Sequence, residues 1–349
     1  MEKRRSRRVK VGNIYIGGGE KITVQSMLNT PASDIEGSVK QAVELEKAGC
    51  EIIRAAVPDM AAVKLIEKLK ENLTVPVVAD IHFDYRLALA SLDAGVDKIR
   101  INPGNIGSME RVMAVANACK ANQVPIRIGV NSGSLEKELL QKYGSPCAEA
   151  LAESAMKHIS MLEQCDFNDI IISIKSSSVS TMIDAYRLVA AKCDYPLHLG
   201  VTEAGTHNMA LIKSSIGIGS LLLDGIGDTI RVSMTDDPVN EVSAANGILK
   251  AIGLKTDCPD IVSCPTCGRT KINLIALANE VESRLSGCKK NIKVAVMGCA
   301  VNGPGEAREA DIGIAGGDGC ALIFKKGEII CKVPENEALD RLLEEIEKL

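Results

Sequence analysis

The sequence predicts an α/β fold in which an N-terminal eight-stranded βα (TIM) barrel is followed by a smaller C-terminal α+β domain. From about residue 20 to 255, eight short aliphatic runs alternate with amphipathic helical stretches, as parallel strands joined by helices do. Aromatic residues make up only 2% of the 349 residues, so the core must consist of Ile, Leu, Val, Ala and Met, which suits a barrel. We place the barrel in residues 1–255 and the second domain in residues 256–349.

The predicted strands are short and separated by helical patterns. They span residues 22–27, 51–57, 75–82, 97–102, 125–131, 170–175, 197–203 and 229–234. Residues 36–49 and 145–165 have the spacing of amphipathic helices, and His158 is expected on the polar face of the second. Residues 10–20 are expected to form a hairpin that plugs the bottom of the barrel. The second domain is predicted to contain a Cys-rich turn, a helix (271–285), a strand (292–297), a Gly-rich loop, two short strands and a charged C-terminal helix.

The charge balance argues against two classes of partner. Lys and Arg number 41 against 45 Asp and Glu, giving a net charge of −4, which provides no general attraction to nucleic acid or to an anionic membrane. The chain has no export signal and no apolar run of spanning length, so we expect a cytoplasmic protein. The basic arm at residues 3–10 is expected to be a solvated, frayed terminus.

Polar side chains share one face of the predicted strands. Because alternate side chains of a strand face opposite sides, and the aliphatic face must meet the helices, the remaining residues point into the barrel. These inward-facing residues are Arg54, Lys98, Arg100, Asn102, Arg127, Gly129, Asn131, Ser173, Lys175, Arg231 and Ser233.

The inward-facing cations need anionic partners, because an unpaired buried cation is unfavourable by several kcal/mol. The nearby carboxylates are Asp80 and Glu203, which are too few for the five cations Arg54, Arg100, Arg127, Lys175 and Arg231. The excess lies toward the C-terminal mouth, where barrel active sites are built. We therefore expect a multiply charged anion such as a diphosphate. The alternative is structural pairing of these cations with acids on the loops.

The twelve cysteines include a possible metal-binding group. Cys50, Cys119, Cys165 and Cys193 have the context of small buried hydrophobic residues. Cys264 and Cys267 form a two-spaced pair, and Cys299 follows a predicted strand within a Gly-rich loop.

Three hypotheses fit these cysteines. A 4Fe-4S cluster held by three cysteines is favoured. Zinc lacks an obvious fourth ligand, since all four His residues fall in the barrel. A thioredoxin-like redox pair would leave Cys299 without a role. Spacing does not identify the fourth ligand among Cys258, Cys288, Cys320 and Glu306.

Several longer motifs resemble those of one family. They are Val24-Gln-Ser-Met27, Ala79-Asp-Ile-His-Phe-Asp-Tyr-Arg86, Arg100-Ile-Asn-Pro-Gly-Asn-Ile-Gly107, Ile126-Arg-Ile-Gly-Val-Asn131, Thr202-Glu-Ala-Gly205, Gly225-Ile-Gly-Asp-Thr-Ile-Arg-Val-Ser233, Cys264-Pro-Thr-Cys267 and Gly298-Cys-Ala-Val-Asn-Gly-Pro-Gly-Glu306. Together they resemble the bacterial 4-hydroxy-3-methylbut-2-enyl diphosphate synthase family, in its short two-domain form.

The resemblance implies an activity and a set of residue roles. The family opens 2-C-methyl-D-erythritol 2,4-cyclodiphosphate with two electrons, in the non-mevalonate (MEP) isoprenoid pathway. By resemblance, Cys264, Cys267, Cys299 and Glu306 would hold a 4Fe-4S cluster, which makes the second domain an iron–sulfur domain. Arg54, Arg100, Arg127, Lys175 and Arg231, with Asn102, Asn131 and Ser233, would bind the diphosphate. We count Asp80 with these substrate-binding residues, and Glu203 and Glu306 as catalytic, Glu203 as a proton relay.

The resemblance also implies protein partners. Reduced flavodoxin or ferredoxin would supply electrons, and a homodimer would share each active site between subunits. Two alternatives from other classes remain at this level: a phosphate-binding barrel enzyme with a structural zinc module, and a nucleic-acid-binding protein that uses the basic arm and a zinc knuckle. The negative net charge and the scarce aromatic residues disfavour the second.

Overall fold

The computed structural model describes residues 3–300, 305 and 307–349, and Glu306 therefore lies outside the described residues. The chain divides into two compact units, Met1–Leu254 and Lys255–Leu349. The first contains an eight-stranded sheet and the second a five-stranded sheet. The predicted fold class is therefore confirmed.

The first unit alternates strands and helices after an initial hairpin. Its elements are β1 (Val9–Val11), β2 (Ile14–Ile16), β3 (Thr23–Met27), α1 (Ile35–Lys47), β4 (Ile52–Ala56), α2 (Val63–Asn72), β5 (Val77–Asp80), α3 (Tyr85–Asp93), β6 (Lys98–Ile101), α4 (Pro103–Ile106), α5 (Met109–Asn122), β7 (Ile126–Asn131), a 3-10 turn (Ser132–Ser134), α6 (Lys137–Tyr143), α7 (Ala148–Glu163), β8 (Ile170–Lys175), α8 (Val179–Ala190), β9 (His198–Leu199), α9 (His207–Leu223), β10 (Thr229–Ile230) and α10 (Pro238–Ala251). None of the described helices has both the length and the apolar composition needed to cross a bilayer.

Parallel pairing arranges the eight strands as a barrel. The strand order is β8-β7-β6-β5-β4-β3-β10-β9, and a parallel bridge between Ile172 and Leu197 joins the two ends of that order. The register sets Asp80 beside Arg100 and Arg100 beside Arg127 on neighbouring strands. Three charged side chains of the inner face are therefore neighbours across β5, β6 and β7.

The last two barrel strands are much shorter than predicted. The runs expected at 197–203 and 229–234 contain only β9 and β10, of two residues each. A Cβ at Gly200, directly after β9, would lie 2.6 Å from the carbonyl oxygen of Arg231. The chain at Glu203 has a positive φ of 51°, which is incompatible with a strand. Both segments therefore leave the sheet early and form the rim of the mouth.

The N-terminal hairpin closes the bottom of the barrel, as predicted. β1 and β2 pair in antiparallel fashion. Their buried side chains pack against the first inward-facing residues of three barrel strands, forming one apolar cluster of Val9, Val11, Ile16, Ile52, Val78 and Ile171. Water is thereby excluded from the floor beneath the charged interior.

The basic arm is docked against the barrel, so the expectation of a solvated and frayed terminus is wrong for its described part. The Arg4 guanidinium donates to the carbonyl oxygens of Cys193 and Tyr195 at 2.7 and 2.9 Å. Ser6 donates to Asp228 at 2.7 Å. These partners precede β9 and β10, so the arm binds the end of the barrel opposite the mouth.

The second unit is an α+β sandwich. Its elements are β11 (Asp260–Ser263), α11 (Leu274–Arg284), β12 (Lys293–Met297), β13 (Ile312–Gly316), β14 (Cys320–Lys325), β15 (Glu328–Pro334), a 3-10 turn (Glu335–Glu337) and a C-terminal helix (Ala338–Glu347). β11, β12 and β13 are parallel, whereas β13, β14 and β15 pair in antiparallel fashion. The prediction missed β11 and counted two strands after the Gly-rich loop where there are three. One face of the sheet packs on α11 and on the C-terminal helix.

Candidate active site

In the part of the chain that the structure describes, the inner face of the barrel carries six cations, which we call the interior cations. They are Arg54, Lys98, Arg100, Arg127, Lys175 and Arg231. Their neighbours in sequence, such as Ile53, Ile99 and Ile126, belong to the core between the strands and the helices. The strand alternation thus directs the cations inward, as predicted. Lys98 was recognised on this face but was left out of the predicted site.

Asp80, the last residue of β5, joins two of the interior cations. Its Oδ2 accepts from Arg54 Nη2 at 2.6 Å, and its Oδ1 accepts from Arg100 Nη1 at 3.1 Å. Burial alone would raise the pKa of this carboxyl. The charge of Arg54, the hydrogen bond with His82 and the charge of Arg100 outweigh burial and hold the pKa of Asp80 well below its usual value. Asp80 is therefore an anion that neutralises part of the interior charge.

The second interior carboxylate is Glu241 on α10, not Glu203 as expected. Glu241 is buried, and its Oε1 lies 3.2 Å from Arg231 Nη2. The same carboxylate accepts from Ser26 Oγ at 3.2 Å and from the Met234 amide at 3.0 Å. Within the described part of the chain, no ion pair or hydrogen bond joins the Glu203 side chain to another residue. Glu241 occupies an apolar-face position of α10, together with Val242 and Ala245, and this pattern could have identified it.

The remaining interior cations have no carboxylate partner among the described residues. Lys98 is fully buried, and its Nζ makes no hydrogen bond there. Arg127 is 1% exposed, and to the described residues it donates only a long hydrogen bond of 3.3 Å, to Gln25. Burial, reinforced by the neighbouring cations, holds the pKa of Lys98, Arg127 and Lys175 well below their ordinary values.

His198 belongs to the same interior region. It is fully buried, and neither ring nitrogen has a hydrogen-bond partner among the described residues. Burial, followed by the charges of Arg127 and Lys175, holds the pKa of His198 well below its usual value. His198 is therefore neutral, and it was not among the predicted site residues. Its inward position follows from the same alternation that places Leu197 and Leu199 in the outer core.

Glycines make room for these long side chains. A Cβ at Gly129 would lie 2.4 Å from Nε of Arg100, and a Cβ at Gly200 would lie 3.4 Å from Nζ of Lys175. Any other residue at position 129 would displace the Arg100 guanidinium from its position beside Asp80.

Two asparagines lie at the carboxyl ends of neighbouring strands at the mouth: Asn102 directly follows β6, and Asn131 is the last residue of β7. Oδ1 of Asn102 accepts from the Gly104 amide at 3.1 Å, and Oδ1 of Asn131 accepts from the Gly133 amide at 3.3 Å. These are Asx turns, in which the side-chain oxygen binds the backbone two residues ahead. Since no hydrogen bond to a described residue uses either amide NH2 group, both remain free donors.

Ser233 and Glu203 lie on two other loops of the mouth. Ser233 is half-buried and follows Arg231 by two residues. Glu203 adopts φ = 51°, a left-handed conformation that a non-glycine residue rarely adopts. The Thr235 amide donates to the Gly205 carbonyl at 3.1 Å, which links these two loops. Such strain is typical of functional positions, where the surrounding structure maintains it.

The cysteines expected to bind a metal lie near one end of the second sheet. Cys264 directly follows β11 and Cys299 follows the parallel strand β12. The Gly298 amide donates to the Cys264 sulfur at 3.2 Å. Cys267 is exposed, and hydrogen bonds from the backbone and side chain of Arg269 lower the pKa of its thiol. Within the described ranges no three Cys, His, Asp or Glu side chains are close enough to hold a metal ion. The predicted fourth ligand, Glu306, lies outside those ranges.

The donor chemistry nevertheless suits a thiolate-bound group. Cys264 is half-buried and Cys267 is exposed. The Gly298 amide donates to the Cys264 sulfur, as backbone amides do around iron–sulfur clusters. To hold such a group, the thiols of Cys264, Cys267 and Cys299 would have to come together. All three follow the carboxyl ends of the adjacent strands β11 and β12. By contrast, burial raises the pKa of the Cys50 and Cys119 thiols to about 12, as expected of inert core residues. Cys165 is also buried, whereas Cys193 is only half-buried.

Comparisons with known proteins agree with the two-unit organisation. The GcpE TIM-barrel domain matches residues 6–246, and the GcpE protein C-terminal domain matches residues 260–348. A Clostridium perfringens protein named 4-hydroxy-3-methylbut-2-en-1-yl diphosphate synthase (flavodoxin) is 60% identical over 349 residues, covering 100% of both chains. The Fusobacterium nucleatum protein of the same name is 56% identical, covering 99% of this chain and 97% of its own.

Solved structures show a more distant likeness. Dihydropteroate synthase from Stenotrophomonas maltophilia aligns with a TM-score of 0.53 at 14% identity, over 71% of this chain and 98% of its own. The Yersinia pestis enzyme aligns with a TM-score of 0.51 at 15% identity, over 71% of this chain and 99% of its own. At these identities the likeness shows the fold alone. The family is shown by the two domain matches and the full-length relatives: the chain is an enzyme of the GcpE family, the 4-hydroxy-3-methylbut-2-en-1-yl diphosphate synthase family that its motifs indicated.

Proposed function

We propose that this enzyme converts 2-C-methyl-D-erythritol 2,4-cyclodiphosphate to 4-hydroxy-3-methylbut-2-en-1-yl diphosphate by reductive ring opening and dehydroxylation, in the MEP isoprenoid pathway. The observation that supports this most is the charge inside the barrel: among the described residues, only Arg54, Arg100 and Arg231 of the six interior cations pair with a carboxylate, Asp80 or Glu241. Burying cations without enough carboxylates is unfavourable, and a bound anion would offset that cost. The names of the full-length relatives identify the diphosphate product.

The interior cations would bind the diphosphate of the substrate. Arg127 and Lys175 lack carboxylate partners among the described residues, so their charges remain available to an anion. Arg54, Arg100 and Arg231 would keep their carboxylate contacts and add guanidinium donors, whose planar fork suits phosphate oxygens. The free NH2 groups of Asn102 and Asn131, and the Ser233 hydroxyl, would orient the anion without adding charge.

Glu203 would move the proton that the departing hydroxyl requires. Within the described residues its carboxylate carries no structural hydrogen bond or ion pair, so it is free to exchange a proton at the mouth. The strained backbone conformation at Glu203 fixes the direction in which its side chain leaves the loop. Asp80 cannot share this role, since its low pKa keeps it ionised at neutral pH.

Residues 256–349 would form the cluster-binding domain, with residues 1–255 as the substrate-binding barrel. Cys264, Cys267, Cys299 and Glu306 would hold a 4Fe-4S cluster, which when bound supplies the two electrons of the reaction. Reduced flavodoxin or ferredoxin would be the donor, and the word flavodoxin in the names of the relatives supports the first. The enzyme would act in the cytoplasm.

The active enzyme would be a homodimer that shares each active site between subunits. An exposed apolar stripe on α9 supports self-association: Met209, Ile212, Ile216 and Leu223 are all at least half exposed. Their spacing places them along one side of the helix. Sharing is testable by mixing a barrel variant, Lys175→Met, with a cluster-domain variant, Cys264→Ser. Shared sites predict that the mixture regains activity that neither variant has alone, whereas sites within one subunit predict no recovery.

The deciding experiment combines metal analysis with turnover. Anaerobically purified protein should contain iron and acid-labile sulfide, bind the cyclic diphosphate, and form the diphosphate product with reduced flavodoxin. Lys175→Met should retain the metal and lose substrate affinity, while Cys264→Ser should do the reverse. Zinc in place of iron and sulfide, or no binding of the cyclic diphosphate, would contradict the proposal and favour a phosphate-binding barrel with structural zinc.

A further inference from the structure

His158 is buried against an acidic residue, although its sequence context predicts a place on the polar face of its helix. It lies in α7 and is 1% exposed. Its Nε2 lies 3.0 Å from Oε1 of Glu136, a close polar contact without the alignment of a hydrogen bond. Ser154, one helical turn earlier, donates from Oγ to Oε2 of Glu136 at 2.8 Å. Helix α7 thus contacts both oxygens of one carboxylate.

The Glu136 carboxylate is anionic at neutral pH. Burial alone would raise its pKa, but the contact with His158, the Glu136 backbone amide and the Ser154 hydroxyl together lower it to about 2. Glu136 directly precedes α6, in the loop that follows β7, five residues after Asn131. The contact therefore anchors the loop that carries one of the two mouth asparagines.

The same imidazole packs against the loop that carries the other asparagine. A Cβ at Gly104 would lie 2.9 Å from Nε2 of His158, so only glycine allows this approach. Gly104 lies two residues after Asn102 and donates its amide to the Asn102 side chain. His158 therefore lies between the loop that follows β6 and the loop that follows β7.

We propose that His158 and Glu136 are positioning residues that set the separation of these two loops, so that the NH2 groups of Asn102 and Asn131 reach one diphosphate anion together. This inference rests on the proposed function. Each Asx turn fixes an asparagine within its own loop, whereas the contact between His158 and Glu136 fixes one loop relative to the other. A displacement of about 1 Å between two donors is enough to lose a shared ligand contact.

The test measures binding of the cyclic diphosphate by calorimetry and turnover with reduced flavodoxin. His158→Ala and Glu136→Gln should each raise the dissociation constant and KM about tenfold, because the two asparagine donors would no longer reach the anion together, while kcat falls by less than about threefold. His158→Gln, which keeps a polar group at this position, should recover part of the affinity. Unchanged affinity in both His158→Ala and Glu136→Gln would overturn the inference.

A double-mutant cycle separates positioning from general damage. Gly104→Ala should weaken binding in the wild-type background, because the new methyl group would lie 2.9 Å from the His158 ring. It should weaken binding less in His158→Ala, where only the 3.3 Å contact with Asn102 Oδ1 remains. Equal effects in the two backgrounds would contradict the coupling. If His158→Ala does not fold, Glu136→Gln and the Gly104→Ala single variant still decide the question, since both should lose affinity.

The matched control is a surface ion pair between the same two helical segments. Lys157 Nζ on α7 lies 3.2 Å from Glu138 Oε2 on α6, and both side chains are exposed. Lys157→Met and Glu138→Gln should leave binding unchanged. Failure of the wild-type enzyme to bind the cyclic diphosphate would refute the proposed function itself. Tight wild-type binding that survives His158→Ala and Glu136→Gln would refute only the inference.

Discussion

Arg54 on β4 donates a hydrogen bond of 2.6 Å to Asp80 on β5, and both side chains are buried inside the barrel. Burial alone would raise the pKa of this carboxyl, but the charges of Arg54 and Arg100 and the hydrogen bond with His82 hold it well below its usual value. Because a second cation, Arg100, also contacts Asp80, one anion serves two guanidinium groups. Ionised Asp80 therefore contributes to the stability of the unliganded interior.

Replacement of Asp80 by Asn should destabilise the unliganded protein. The change leaves Arg54 and Arg100 without their anion, and breaking a buried pair lowers the free energy of unfolding by about 3 kcal/mol. Urea unfolding measures the effect. Added inorganic diphosphate should restore more stability to the variant than to the wild type, because the anion takes the place of the carboxylate.

A surface aspartate provides the control for this prediction, and the pH dependence provides a second check. Asp93 on α3 is exposed, and Asp93→Asn should leave the unfolding free energy unchanged. Since the folded pKa of Asp80 is lowered, its stabilisation is fully present above the ordinary Asp value of about 4 and is lost as the pH falls toward the folded pKa. Asp80→Asn should lack that acid-dependent loss. A variant as stable as the wild type would show that Asp80 does not balance the interior charge.

Replacement of Lys98 by Met should stabilise the unliganded protein by about 2 kcal/mol, because it removes a buried cation that has no partner among the described residues. Burial, with the charges of Arg127 and Arg54, holds the folded pKa of Lys98 well below its ordinary value. Between that folded pKa and the unfolded value of about 10.4, the unfolded chain binds more protons, so wild-type stability rises with pH in this window. The variant should show a smaller rise.

The measurement for Lys98 is urea unfolding at neutral and at alkaline pH. Lys64 on α2 is exposed, so Lys64→Met controls for the loss of a surface charge and should change neither the stability nor its slope with pH. A Lys98→Met variant less stable than the wild type would mean that the ammonium group has a partner in the folded protein.

The barrel and the inward cations could be predicted because both follow from alternation along single strands. The inward direction of Arg54, Arg100 and Arg127 could be predicted from their positions within runs of Ile and Ala alone. Glu241 could not be found this way, since it reaches the interior from a helix and pairs with Arg231 ten residues before it. Its place on the apolar face of α10 signals burial, but its pairing with Arg231 depends on the tertiary packing of α10 on β3.

Other differences arise where local pattern and tertiary contact disagree. His158 stands beside Lys157 and looks polar in sequence, yet a carboxylate from another loop makes its burial acceptable. β11 was missed because its side chains are largely exposed or half-buried and give no apolar alternation. This segment is a strand because its backbone pairs with β12, which lies 33 residues later in the chain (residue 293 pairs with residue 260).

Replacement of Arg4 by Ala should lower the free energy of unfolding by about 2 kcal/mol, because the guanidinium group donates to several backbone carbonyls at the bottom of the barrel. Catalysis should be unaffected, since these contacts lie opposite the mouth. Thermal unfolding and steady-state kinetics measure the two effects. Arg5 is exposed, and Arg5→Ala should change neither quantity. Equal stability of the Arg4 and Arg5 variants would restore the expectation of a frayed arm.

Two replacements of Glu203 should separate its backbone strain from its chemistry. Glu203→Gly relieves the positive φ of 51° and should stabilise the protein by about 1 kcal/mol, whereas Glu203→Gln keeps the strain and should leave stability unchanged. Both variants should bind the cyclic diphosphate and retain their iron, and both should lose turnover by at least about a hundredfold, because neither side chain can transfer the proton. Turnover near the wild-type rate in Glu203→Gln would remove this carboxylate from the mechanism. Reduced stability of Glu203→Gly would show that the loop depends on the Glu203 side chain.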